Sequence, residues 1–313
     1  MAKLIILCGL PGSGKSSYAE NYKAVDDTIC EDFTVIHSSD AIREELFGDA
    51  GSQEDNGRVF ELMQKRTRED LRAGKTVIYD ATNITRKARK SAIACAHPTN
   101  DIVECHIVWA EPQECIRRDS MRERKVGPEV IDKMLRRWQS PWIDEGFDKI
   151  EIHLNQKDFD QVRYVASRAS DMHIPHDNPH HALGVWEHCM EAHVNIINQG
   201  ATTANIVEYS GYNKLAKAAY WHDIGKPYTK FFKPGEDIAH YYDHHCVGGY
   251  LAYGLFLNPD HLIRDVEMSD ICLISWIIAN HMEPFFNSGY YQKLAPEWKW
   301  YIDILHEADL AAH

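Results

Sequence analysis

Gly9-Leu10-Pro11-Gly12-Ser13-Gly14-Lys15-Ser16 places two glycines, a lysine and a hydroxyl in the spacing G-x-x-x-x-G-K-[ST]. Glycines at Gly9, Gly12 and Gly14, with Ser13 between the last two, let backbone N–H groups turn inward around phosphate oxygens. A following helix adds the positive field of its N-terminus. In this motif Lys15 reaches the β/γ-phosphates and Ser16 holds Mg²⁺, so the expected ligand is ATP or another nucleoside triphosphate with Mg²⁺. Asp40 and Arg43 lie one helical turn apart, and Asp40 also suits a helix N-cap. Asp80 closes the apolar run Thr76-Val77-Ile78-Tyr79 and is followed by Ala81-Thr82-Asn83. A carboxylate at the carboxyl end of a parallel strand lies in the ligand crevice. The second half has a different chemistry. His188, His222-Asp223, His244-His245, His281 and Asp309 supply imidazoles and carboxylates in a region that holds fourteen of the 18 histidines. Mixed imidazole and carboxylate donors suit Mn²⁺, Co²⁺, Ni²⁺, Fe²⁺ or Zn²⁺, with Mg²⁺ a further option. Each histidine taken alone is more often a packed residue than a ligand.

These residues need two kinds of scaffold. Strands near 3–8, 33–37, 76–80, 102–109 and 149–154 alternate with helices near 15–23, 40–47, 57–73, 86–95, 112–124 and 128–139. That alternation predicts a parallel sheet with helices on both faces. From residue 181 on, the pattern is helical, near 181–198, 203–222, 244–257, 265–281 and 296–310, with Gly and Pro at the breaks. The expected architecture is an α/β phosphate-loop domain over 1–158 and an all-α domain over 159–313. The polar stretch 155–180, with Pro175 and Pro179, is the expected junction. His173, His176, His180 and His181 fall there and are not expected to be ligands.

Composition narrows the function classes. The 313 residues are 44% hydrophobic and 26% charged, enough for two cores. The eight cysteines are scattered without a C-x-x-C pair, which points to a reducing, cytoplasmic setting. No apolar run is long enough for a bilayer, so no membrane partner is expected. Met1–Leu7 is too short for a signal peptide. The net charge of −13 disfavours non-specific binding along nucleic acid. It leaves room for a local basic groove, and residues 117–137 carry eight Lys/Arg, which by composition alone read as a solvated helix face.

Asp40-x-x-Arg43, Asp80-Ala81-Thr82-Asn83, and Arg118 and Arg122 on a basic helix resemble the phage-type polynucleotide 5′-kinases over about residues 1–155. The resemblance implies that Asp40 is the general base for a 5′-hydroxyl. It implies that Arg43 contacts the acceptor's 3′-phosphate and that Asp80 serves the metal and phosphate site. Arg122 becomes the lid arginine on the transferring phosphoryl, with Arg118 second in line. Lid arginines suit phosphoryl transfer because that chemistry is mostly positioning and charge neutralisation. Asp-Ala-Thr-Asn stands where the family often has Asp-Thr-Asn, a variant shared with kinases of tRNA-linked or small substrates.

Trp186-Glu187-His188, His222-Asp223-Ile224-Gly225-Lys226, the later histidines and Asp309 resemble the HD superfamily of metal-dependent phosphohydrolases over about residues 175–313. The resemblance implies that His188, His222, Asp223 and Asp309 form a metal tetrad. His244 and His281 extend it, His245 rivals His244, and Lys226 holds a substrate phosphate. Together the two resemblances imply healing of broken nucleic-acid ends. The partners would be RNA or DNA ends with a 5′-hydroxyl, tRNA among them, and a separate ligase downstream. Two alternatives stay open: a nucleoside or nucleotide kinase fused to a nucleotide phosphohydrolase, and a nucleotide sensor with a helical interaction module.

Overall fold

The computed structural model describes residues 1–28, 33–97, 101–154, 171–179, 182–201, 206–257, 266–312. The described chain forms two compact units. The first comprises Met1–Met134 and Pro141–Phe159, and the second Leu135–Ser140 and Asp160–His313.

In the first unit, five parallel strands run in the order β2-β3-β1-β4-β5: β1 Lys3–Cys8, β2 Thr34–Ser38, β3 Thr76–Asp80, β4 Ile102–Trp109 and β5 Lys149–Leu154. Strand β1 reads KLIILC and is buried from Leu4 to Cys8. An unbroken apolar run of this kind fits only a central strand covered on both faces. The chain leaves β1 toward β2 and β3 on one side and later returns to β4 and β5 on the other. The order therefore reverses at the carboxyl end of β1, which is where open α/β sheets bind ligands. Helices α1 Lys15–Asp26, α2 Ser39–Phe47, α3 Asn56–Arg72, α4 Arg86–Ile93, α5 Pro112–Ser120 and α6 Pro128–Leu135 connect the strands.

Two helices stop earlier than their sequence pattern predicts. The helix expected over 112–124 ends at Ser120, and that over 128–139 at Leu135. Asp119 explains the first. Its carboxylate accepts from the amides of Val126 (3.0 and 2.9 Å) and Gly127 (2.8 Å), fastening a turn. Arg122 thus belongs to a clamped loop, not to the basic helix expected for it. Leu135–Ser140 packs within the helical unit instead. The Trp138 ring meets Tyr250 edge-on at 4.9 Å, and Ser140 Oγ lies 2.8 Å from Ser275 Oγ.

The second unit is helical: α7 Val185–Ala201, α8 Ile206–Trp221, α9 Lys226–Thr229, α10 His244–Phe256, α11 Met268–Asn280, α12 Glu283–Phe286 and α13 Pro296–Leu310. From Val247 to Phe256 in α10 and from Ile271 to Asn280 in α11, every residue is buried. A helix apolar all round belongs at the centre of a bundle. These two pack together, while α7 packs on α8 and α13 crosses both. A two-residue hairpin, β6 Phe231–Phe232 and β7 Ala239–His240, is an addition to the expected all-helical pattern. No helix among the described residues is long and apolar enough to cross a membrane.

Candidate functional sites

The loop after β1 is built by backbone geometry that side chains would block. Gly12 has φ +85°, and a Cβ there would lie 2.3 Å from the Cys115 carbonyl oxygen. Gly14, at φ +100°, precedes the first turn of α1. Ser13 Oγ is buried with no hydrogen-bond partner, and Lys15 Nζ donates to Leu10 O at 2.7 Å. Ser16 Oγ donates to Asp80 Oδ2 at 2.9 Å, which brings the two expected Mg²⁺-side residues together. Burial lowers the Lys15 pKa while Asp80 opposes the shift, and burial raises that of Asp80 against Lys15 and Ser16. A lysine and a carboxylate that both resist being desolvated favour an incoming charged ligand between them.

A cleft of about 560 Å³ opens over this loop and is lined by Lys15, Ser16, Asp40, Arg43, Asp80, Arg122 and Arg124 among others. Asp40 remains 61% exposed at its side chain. Ser38, not Asp40, occupies the N-cap position of α2, so Asp40 is free of the capping role. Arg43 Nη1 donates to Asp40 Oδ1 at 2.9 Å, and its Nη2 donates to Asn56 Oδ1 at 3.0 Å. Arg43 is therefore a buried, anchored cation against an exposed carboxylate. Arg124 Nη1 lies 3.7 Å from Asp40 Oδ2, a contact that helical counting on the basic run missed. Arg118 is committed elsewhere: its Nε donates to Glu114 at 2.8 Å and its Nη1 reaches Gly12 O at 3.5 Å.

Behind Asp80, Asn83 takes a left-handed φ of 46° and donates from Nδ2 to Leu7 O at 2.7 Å. Its own carbonyl accepts from Arg89 Nη1 at 3.0 Å. Arg89 in turn forks onto Glu145 at 2.9 and 2.6 Å, both side chains fully buried. This network fixes the turn that presents Asp80 beside Ser16.

In the helical unit, His188, His222, Asp223, His244, His281 and Asp309 converge. His188 Nε2 lies 2.7 Å from Asp309 Oδ1 and 3.8 Å from Asp223 Oδ2. His222 Nε2 lies 3.3 Å from Asp309 Oδ1 and 3.4 Å from Asp223 Oδ2, without hydrogen-bond alignment to either. On the other side of Asp223, His244 Nε2 stands 3.3 Å from Oδ1 and 3.1 Å from His281 Nε2. Asp223 thus belongs to two donor triads, one with His188 and His222 and one with His244 and His281.

The ring orientations have a common cause. Nδ1 of His188, His222, His244 and His281 lies 2.7–2.8 Å from the carbonyls of Ala312, Ala219, Tyr241 and Ile278 respectively. A carbonyl only accepts, so each Nδ1 carries a proton and each Nε2 faces inward. His222 follows the end of α8 and His281 caps α11, so their rings take up carbonyls of a last helical turn. Fixing the outer nitrogen in this way is how proteins orient metal-ligating histidines. Burial holds His281 down at about 4 and His244 well below the usual imidazole range. Two neutral imidazoles with lone pairs 3.1 Å apart repel unless a cation lies between them. Burial disfavours charge on Asp223, but Lys226, His222, His244 and His188 together hold its pKa well below the carboxylate range. Burial disfavours charge on His222, but Cys189, Asp223 and Asp309 together raise its pKa well above the imidazole range. The His244–His281 side is thus neutral and the His222 side is held by its carboxylates, and the mixed imidazole–carboxylate set fits a divalent cation.

Lys226 Nζ lies 2.6 Å from Asp223 Oδ2 and 3.0 Å from His176 Nε2. His176 was expected to be a bystander in the junction, yet it is buried against this lysine, with its ring 5.6 Å from that of His188. His245 points away from Asp223 toward Phe286, 5.6 Å between rings, so His244 is the member of the cluster. His173 packs on Trp186, and His180 and His181 lie outside the described residues.

Residues 4–141, under half of the chain, match the family model described as an AAA domain. The chain is 28% identical over 178 residues to "Transcription factor bHLH140" of Arabidopsis thaliana, covering 54% of this chain and 18% of that protein. Similar solved structures include a chain of the "Pnkp1/Rnl/Hen1 RNA repair complex", at 23% identity and TM-score 0.38 over 44% of this chain and 43% of that one. A second structure of that complex matches at 25% identity and TM-score 0.33, covering 40% and 41%. A gluconokinase from Sinorhizobium meliloti 1021 matches at 16% and 0.33, covering 49% and 82%. The chain spans about a fifth of the curated relative and less than half of the repair-complex chains. With the phosphate loop, the parallel sheet and the Ser16–Asp80 pair, the first unit is a kinase-like P-loop domain, of the kind that takes ATP and Mg²⁺.

Proposed function

We propose that this chain heals nucleic-acid ends, with the first unit phosphorylating a 5′-hydroxyl and the second removing a terminal 2′- or 3′-phosphate, or opening a 2′,3′-cyclic one, on RNA. Asp40 accepts the proton of the attacking hydroxyl, and Arg43, fixed by Asn56, grips the acceptor's phosphate. Lys15 and Arg122 neutralise charge on the transferring phosphoryl, with Arg124 as a second loop cation beside Asp40. The expected setting is the cytoplasm, and a separate ligase would join the healed ends.

For the second unit the carrying observation is the pair of inward lone pairs on His244 and His281 beside Asp223. Together with the His188–His222–Asp309 side, they make Asp223 a shared ligand of the kind found in HD phosphohydrolases. A bound divalent cation supplies an activated water and clamps phosphoryl oxygens. Lys226, oriented by His176, holds the phosphate being removed.

The test is an RNA with a 5′-hydroxyl and a 2′,3′-cyclic phosphate, incubated with ATP and Mg²⁺ or Mn²⁺, with both termini read. Asp40→Ala is expected to abolish only the 5′ gain and Asp223→Ala only the 3′ loss. A single variant that kills both reactions sinks the assignment of separate centres. Phosphorylation of free nucleosides in preference to oligonucleotides favours the small-molecule enzyme instead.

A further inference from the structure

The hairpin between Lys226 and His244 carries aromatic residues that no folding role accounts for. Phe231 pairs with His240 across the two strands. The rings of Phe231, His240 and Tyr242 form a closed triangle, with centroids 5.4, 5.5 and 5.4 Å apart. The planes tilt by 33° and 30° on the two His240 edges and by 53° between Phe231 and Tyr242. Phe231, Phe232 and Tyr242 are nevertheless 37%, 47% and 56% exposed. The rings pack on each other rather than into the core. Glu236 lies 3.0 Å from His240 Nε2 and fixes the orientation of that ring. Lys230 stands 5.9 Å over Phe232 and is held by Asp177 Oδ2 at 2.7 Å and Pro175 O at 2.8 Å, whereas Lys233 is exposed. Arg136 donates to Tyr242 O at 3.3 Å and Tyr228 O at 3.4 Å, bracing the base of the hairpin.

This surface is tied to the imidazole cluster through one residue. Tyr241 O accepts from His244 Nδ1, the Tyr241 hydroxyl donates to the His176 carbonyl, and Lys226 lies 5.5 Å over the Tyr241 ring. Tyr242, next in sequence, faces solvent within the ring group. Tyr241 thus contacts the lysine beside Asp223 and is followed in the chain by a member of the ring group.

We propose that the Phe231–His240–Tyr242 platform stacks the unpaired bases at the end of a single-stranded nucleic acid whose terminal phosphate enters the imidazole cluster. The proposal rests on the phosphohydrolase reading above and adds the substrate class. Aromatic faces are sequence-tolerant partners for bases, and the exposed Lys233 suits a phosphate of the strand. A folded protein partner would need a larger and continuous apolar patch.

The test uses the full chain and a short, labelled single strand with a 5′-phosphate and a 3′-hydroxyl. That strand is the product of both proposed reactions, so neither unit can turn it over. Phe231→Ala and Tyr242→Ala are each expected to weaken binding by about 10-fold in fluorescence anisotropy, while Phe231→Trp keeps it. A strand with abasic residues at its 3′ end is expected to bind the wild type weakly and to be indifferent to both substitutions. Wild-type-like binding of the base-bearing strand by both alanine variants overturns the proposal. So does an equal loss for the abasic strand, which marks a structural defect. So does full displacement of the strand by a nucleoside monophosphate at equal concentration, which assigns the platform to free nucleotides. Release of phosphate from a 3′-phosphorylated strand is measured separately. If no divalent metal supports it, the phosphohydrolase reading fails by itself, and the anisotropy result still decides whether the hairpin binds bases.

Discussion

The two centres solve opposite problems. The first unit keeps its charges at a half-open rim: Asp40 is mostly exposed, Arg122 and Arg124 ride on a loop, and Lys15 rests on a carbonyl of its own turn. The second buries five of its six donors, with Asp309 half-buried, and fixes four imidazoles by their outer nitrogens. A rim of charges open to solvent suits substrates that must enter and leave. A pinned, desolvated donor set suits an ion that stays. The difference teaches that the first centre leaves its charges open to an arriving ligand, whereas the second holds its donors in place beforehand.

The sharpest way to break this comparison is to remove the key charge from each side. Lys15→Ala is expected to cost phosphoryl transfer orders of magnitude and leave hydrolysis intact. Asp223→Asn is expected to take hydrolysis below detection, abolish stoichiometric metal uptake in elemental analysis, and leave transfer intact. If Asp223→Asn retains its metal, the shared-ligand role of Asp223 is wrong.

A second prediction concerns the scaffold behind the open centre. Arg89→Met removes the bidentate partner of the buried Glu145 and leaves it only Arg86, 4.0 Å away, which is expected to cost about 3 kcal/mol in urea unfolding of the first unit. The double variant Arg89→Met/Glu145→Leu is expected to recover most of that, because an apolar pair of similar volume needs no desolvation of charge. Equal losses in both would place the cost in the freed Asn83 carbonyl rather than in the ion pair.

These contrasts also explain what was legible in the sequence. The phosphate loop is local, so eight consecutive residues disclosed it, and the strand pattern placed Asp80 at a strand end without further help. The imidazole set was legible only as an order of motifs, because its members meet across as many as 121 residues. His176 was illegible: its partner Lys226 lies 50 residues away and nothing in its own segment signals a ring buried against an ammonium. The basic run misled because helical counting cannot see a carboxylate seven residues back pulling Val126 and Gly127 into a turn.

That loop gives a third prediction. Arg122 lines the cleft, whereas Arg118 is held by Glu114 and the Gly12 carbonyl. Arg122→Ala is expected to lower kcat for transfer by about 10²- to 10³-fold, as loss of one preorganised charge on a transition state does. Arg118→Ala is expected to act mainly on the loop's shape, raising KM for the nucleotide with a smaller effect on kcat. The reverse pattern would return the lid role to Arg118.

The smallest effect probes whether burial of imidazoles sets the second unit apart. His245 stands next to His244 but outside the donor cluster, and burial pushes its pKa down to about 3. In the unfolded chain it titrates near its ordinary value of about 6.5. Between these limits the unfolded chain binds a proton that the folded chain refuses. Stability is therefore full above about 6.5 and falls with pH toward 3, by up to about 1.4 kcal/mol per pH unit for this one group. His245→Gln cannot take the proton in either state, so its unfolding free energy is expected to fall less steeply across that window by about one proton's worth. The comparison is run in chelator, so that metal release by His244 and His281 is common to both proteins and cancels. Parallel pH slopes for wild type and variant would mean that the His245 ring protonates in the folded state, and that the second unit is less closed to water than its packing implies.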